Sequence, residues 1–161
     1  MWNRIGIVGL PGSGKTSIAI ALISILGKGE IAENKPRWSY VNGDMILPEN
    51  IVKVCGVLDK YVVEHMSLTD IMLRDNDILL DVLIYLDISA EECRKRIKNR
   101  PTHIVSYPGS IEDLEIAIRK QVSDLEKHGL KIVRVTISDE NKVFEQMLRG
   151  TDLLDFLKCI K

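Results

Sequence analysis

Short apolar runs alternate along the chain with longer stretches in which apolar residues recur every three or four positions. Together the two periods outline a β/α succession. Ile5, Ile7 and Val8 form the first run, and residues 17–26 (SIAIALISIL) predict the helix after it, stopped by Gly27. Residues 38–44 alternate and close on Gly-Asp, which predicts a second strand and the turn beyond it. Residues 51–58 (IVKVCGVL) are rich in β-branched side chains and predict a third strand or a hairpin arm. Ser67 to Asp70 resembles a capping box, so a short helix begins there. Residues 79–87 (LLDVLIYLD) are almost wholly apolar, as in a central strand covered on both faces. Ser89 caps a helix that runs to Arg100 and stops at Pro101. Ile111, Leu114, Ile118, Val122 and Leu125 mark a long amphipathic helix over 111–128, ended by Gly129. Residues 130–137 alternate as the last strand, and helices are expected from Ser138 to Arg149 and over 152–160. The polar stretches 31–37 and 102–110 read as loops.

Strands alternating with helices predict one three-layer α/β domain over 1–161, with a mostly parallel central sheet and helices on both faces. At 161 residues the chain is long enough to bury a core of its own. The formal net charge of −1 removes any global attraction to nucleic acid, so contact with DNA would need a local basic patch. Lys53, Lys60, Arg94, Lys95 and Lys98 are the residues that could build one. Cys55, Cys93 and Cys159 are odd in number and far apart, which predicts reduced thiols, a cytoplasmic setting and no structural zinc. No export leader is expected at the amino end, and the apolar run at 18–26 is too short to span a bilayer, so no membrane partner is expected.

Between the first strand and its helix stands Gly9-Leu-Pro-Gly-Ser-Gly-Lys-Thr16, the complete phosphate-loop pattern in its strand-loop-helix context. Glycines at 9, 12 and 14 let the backbone, with Ser13, curl so that its N–H groups face a phosphate at a helix N-terminus. Lys15 is then the candidate for the β- and γ-phosphates and Thr16 for the Mg²⁺ ligand, so ATP and Mg²⁺ are the expected cofactors. Asp44, at the end of the second strand, is placed either to orient an attacking hydroxyl or to close its own turn. Asp70 is either a functional carboxylate, with Thr69 beside it, or a first-turn helix residue. Asp44, Asp70 and Asp87 compete as the carboxylate that anchors the metal.

Residues 83–100 (LIYLDISAEECRKRIKNR) closely resemble the strand-helix-lid segment of thymidylate kinases and deoxynucleoside kinases. That resemblance implies a P-loop kinase with a short lid near 98–110, Arg96 and Arg100 as arginines over the phosphates, and Asp139 in the turn that faces the adenine. It also implies a small nucleoside or nucleotide acceptor, and leaves monomer or homodimer open. The Asp-Arg-Tyr or Asp-Arg-His motif that ends the third strand of thymidylate kinases and the Glu-Arg-Ser of deoxynucleoside kinases do not occur in this sequence. Val41-Asn-Gly-Asp44 is similar to the turn of kinases that phosphorylate small-molecule hydroxyls. Gly56-x-x-Asp59 followed by Leu68-Thr-Asp70 resembles a pattern in phage-encoded P-loop kinases, some acting on 5-hydroxymethyluracil in DNA. Asp59, Thr69 and Asp70 therefore join Asp44 as candidate acceptor-binding residues. Lys15, Asp44 and Arg100 are the candidate catalytic set for transfer of a γ-phosphoryl to a hydroxyl or phosphate. Two rival readings stand beside it: a kinase acting on a hydroxymethylated pyrimidine in phage DNA, and a non-catalytic or slow NTPase module that switches a partner.

Overall fold

Among the described residues five strands form one sheet in the computed structural model: β1 (Arg4–Gly9), β2 (Ser39–Asn42), β3 (Tyr61–Glu64), β4 (Val82–Leu86) and β5 (Ile132–Val135). Their spatial order is β2-β3-β1-β4-β5, and every neighbouring pair is parallel. The structure describes residues 2–27, 37–74, 80–99, 109–138 and 141. Arg100, Asp139, most of the expected lid and the two expected carboxyl-terminal helices lie outside the described residues.

Apolar side chains cover both surfaces of the central strands. Ile5, Ile7 and Val8 of β1 and all five residues of β4 are buried, as the unbroken apolar runs predicted. The helices that connect and flank the strands include α1 (Lys15–Leu26), α2 (Pro48–Gly56), α3 (Leu68–Arg74), α4 (Ala90–Lys98) and α5 (Ile111–Lys127). Helix α1 packs on β1, β2 and β3, whereas α3 and α5 pack on each other and on β1. The result is the expected α/β sandwich with a parallel sheet. Ser89 caps α4 by accepting from Glu92 N at 3.2 Å, and Ser110 caps α5 by accepting from Asp113 N at 3.1 Å.

One expected strand is a helix. Residues 48–56 form α2, which starts at Pro48 and carries Glu49 in its first turn and Lys53 in its last. Ile51 and Cys55, four apart, turn inward together and are buried, which is a helical spacing rather than a strand alternation. The β-branched composition of the stretch pointed the other way, and tertiary packing overrode it. The third strand in the chain is instead Tyr61–Glu64, where all four residues are buried. Parallel pairing brings the carboxyl ends of the strands to one edge, where ligands collect in open α/β sheets. Gly9, Asn42, Glu64 and Leu86 all end their strands there.

Candidate active site

The loop from Gly9 to Thr16 leaves the carboxyl end of β1 and enters α1. Gly12 and Gly14 have φ of 82° and 98°, a left-handed conformation that glycine adopts without strain. Gly9 is needed for space, because a Cβ there would stand 2.5 Å from Ser13 Oγ. Ser13 N donates to Leu10 O at 3.0 Å, which tightens the curl, and Lys15 Nζ donates to Leu10 O at 2.9 Å. Ser13 is fully buried, and its Oγ has no hydrogen-bond partner among the described residues.

Glu64, the last residue of β3, lies directly against this loop. Thr16 Oγ1 donates to Glu64 Oε1 at 2.7 Å, and Tyr40 of β2 donates its hydroxyl to the same oxygen at 2.6 Å. Glu64 is 2% exposed, and its Oε2 is buried with no hydrogen-bond partner among the described residues. Burial, then the hydrogen bond and charge of Glu64, push the Tyr40 phenol well above its ordinary pKa, so it remains a donor. Sequence reasoning missed Glu64 because residues 51–58 had taken the place of the third strand. The signal was a single carboxylate closing the apolar run Tyr61-Val-Val.

His65 follows, buried, with Nδ1 accepting from Ser67 N at 3.0 Å. Burial pulls its pKa below the ordinary value; the charges of Asp44 and Glu64 act against that shift and Lys15 reinforces it. The turn after β2 approaches closely here, since a Cβ on Gly43 would stand 2.4 Å from Glu64 O and 2.6 Å from His65. Asp44 is therefore brought to the same edge, in a 3₁₀ turn over Gly43–Met45 whose Asn42 cap accepts from Asp44 N at 3.0 Å. Its carboxylate is exposed and lies close enough to act electrostatically on His65 and Tyr40. Met45 and Leu47, just beyond, are also exposed, at 82% and 61%.

The remaining candidates lie elsewhere or are engaged. Asp59 lies two residues before the amino end of β3, so the length of the strand, about 10 Å for its three steps at roughly 3.3 Å each, separates it from the loop edge. Thr69 is fully buried and donates to Gln121 of α5 at 2.7 Å. Asp70 pairs with Arg74 one helical turn on, as a first-turn acid of α3 would. Asp87 accepts from the Tyr85 hydroxyl at 3.3 Å and faces Arg119 at 3.6 Å and Arg134 at 3.9 Å. Arg96 reaches the phosphate loop from behind: its guanidinium donates to Ser13 O at 3.2 Å and Gly12 O at 3.5 Å, while Glu92 accepts from its Nε at 3.3 Å. Of the residues that could have made a basic surface, Arg94 pairs with Glu112 and Lys95 with Glu91, and Lys60 lies over the Trp38 ring at the amino edge of the sheet. Among the described residues no group of three or more His, Cys, Asp or Glu could hold a metal ion without further ligands. No helix among them is long and apolar enough to cross a membrane.

No family model matches the chain, and no curated protein matches it in sequence. Solved structures do match in fold. A shikimate kinase from Bacteroides thetaiotaomicron is 13% identical, with a TM-score of 0.54 over 96% of this chain and 99% of its own. A sugar kinase from a Janibacter species is 18% identical, with a TM-score of 0.53 over 95% and 96%. A deoxyadenosine kinase from M. mycoides, solved with bound dATP, is 16% identical, with a TM-score of 0.49 over 91% and 98%. The chain has the fold of P-loop kinases, with the phosphate loop of its sequence set against a buried glutamate.

Proposed function

We propose that this chain is an ATP- and Mg²⁺-dependent phosphotransferase that moves the γ-phosphoryl to a hydroxyl or phosphate of a small acceptor, a nucleoside or nucleotide. The observation that carries the reading is the contact of Thr16 with Glu64 at the mouth of the glycine cradle. Two buried oxygens without partners, Ser13 Oγ and Glu64 Oε2, fit a site completed by a ligand. Mg²⁺ keeps several waters and takes one or two carboxylates plus substrate phosphates, so Thr16 and Glu64 suffice as this chain's share of its ligation.

The loop's N–H groups and Lys15 would hold the triphosphate, with Arg96 fixing the loop from behind. Mg²⁺ supplies neutralisation of the charge that builds on the transferred group. Asp44 would orient the acceptor hydroxyl or take its proton from the neighbouring turn. Exposed Met45 and Leu47 beside that carboxylate suit an acceptor with one apolar face.

Coupled ADP release tests the reading across nucleosides, nucleoside monophosphates, sugars, cyclic polyols and hydroxymethylated DNA. Stimulation by one class, lost in Lys15→Ala and Asp44→Asn, is expected. ATP binding with no acceptor-stimulated turnover would overturn the kinase reading in favour of the NTPase switch.

A further inference from the structure

Tyr40 belongs to none of the sequence motifs, yet its hydroxyl ends 2.6 Å from Glu64 Oε1. Register explains the reach: Tyr40 pairs with Val62, two residues before Glu64, so both side chains leave the same face of the sheet. Thr16 donates to that same oxygen from a different element, the start of α1. Both donors thus act on Oε1, and Oε2 is left buried and unpartnered.

The two donors are not equivalent. Thr16 is the residue of the phosphate loop whose hydroxyl would serve the metal through a lone pair, so it would have two tasks at once, ligation and its bond to Glu64. Tyr40 sits on β2 and is not part of the loop.

We propose that Tyr40 is a positioning residue for the metal site: its hydroxyl holds Glu64 Oε1 and thereby keeps Oε2 available to the Mg²⁺·nucleotide. The inference rests on the assignment of Thr16 and Glu64 to the metal made above. Partners that orient a metal-binding carboxylate typically matter by one to two orders of magnitude in metal affinity.

Calorimetry with ADP, run with and without Mg²⁺, tests this on wild type, Tyr40→Phe and Glu64→Gln. The quantity read is the gain in ADP affinity that Mg²⁺ confers within each variant, so a partly unfolded fraction cancels. Tyr40→Phe is expected to keep the metal-free affinity within about twofold and to lose about tenfold of the metal-dependent gain. An unchanged gain in Tyr40→Phe, with the gain lost in Glu64→Gln, overturns the role of Tyr40 alone. An equal loss of metal-free and metal-dependent affinity in Tyr40→Phe also overturns it, because that marks a merely structural tyrosine. An unchanged gain in Glu64→Gln overturns the metal assignment itself, and the role of Tyr40 with it.

Discussion

Thr16 Oγ1 and Glu64 Oε1 lie 2.7 Å apart across 48 residues of chain. The bond ties the first turn of α1 to the last residue of β3 and joins the phosphate loop to a buried carboxylate before any ligand arrives. A hydrogen bond to a charged group is worth about 1.5–3 kcal/mol, against about 1 kcal/mol for a neutral pair.

That pairing predicts coupling in the protein without ligands. In urea unfolding of wild type, Thr16→Val, Glu64→Gln and the double variant, the two sites should interact by about 1–2 kcal/mol. Additivity within about 0.3 kcal/mol would show that the contact does not hold in solution.

Arg96 separates two roles for a basic residue at the end of α4. The sequence pointed to a lid arginine acting on the transferred group, whereas its guanidinium donates to the carbonyls of Gly12 and Ser13. A residue that braces the cradle affects every nucleotide held there, so Arg96→Lys should weaken ADP and ATP alike, by about three- to tenfold for one lost charge-assisted bond. A lid arginine would instead lower kcat and leave ADP affinity unchanged. Equilibrium titration with both nucleotides decides between them.

The cradle itself leaves little room. A Cβ on Gly12 would stand 2.9 Å from Cys93 O and 3.0 Å from Ile97 Cγ1, and the residue has φ of 82°. Gly12→Ala therefore meets both a strained backbone and α4, and should cost about 1–3 kcal/mol of stability, with loss of nucleotide binding. Thermal unfolding and ADP titration of this variant check it; wild-type values in both would contradict the contact with α4.

How much of this was legible in the sequence depends on the reach of each pattern. The loop at 9–16 and the all-apolar run at β4 carry their structure locally, and both stand where the pattern put them. The four residues of β3 do not, because a short strand buried on both faces shows no alternation and residues 51–58 offered a more β-like composition. Misplacing that strand hid Glu64, while Asp59, Thr69 and Asp70, brought in by their resemblance to a phage-kinase pattern, are taken away from the loop by local contacts or position. Tyr40 was invisible for another reason. Its partner is set by parallel register between β2 and β3, which no local spacing encodes.

His65 gives the site a pH dependence whose sign follows from its surroundings. Its pKa is lowered in the folded chain, mainly by burial, so below the ordinary value near 6.5 the unfolded chain binds a proton that the folded one resists. Asp44 and Glu64 oppose that shift and Lys15 adds to it. Protonation at Nδ1 would also set an N–H against the Ser67 N–H that now donates to it. The contribution of His65 to stability is therefore complete above about pH 6.5 and is lost as pH falls through the folded value. Urea midpoints of wild type should drop between pH 7 and pH 5, and His65→Gln, which has no proton to gain, should show a smaller drop. An identical drop in both would assign the acid sensitivity to the carboxylates and leave His65 with no part in it.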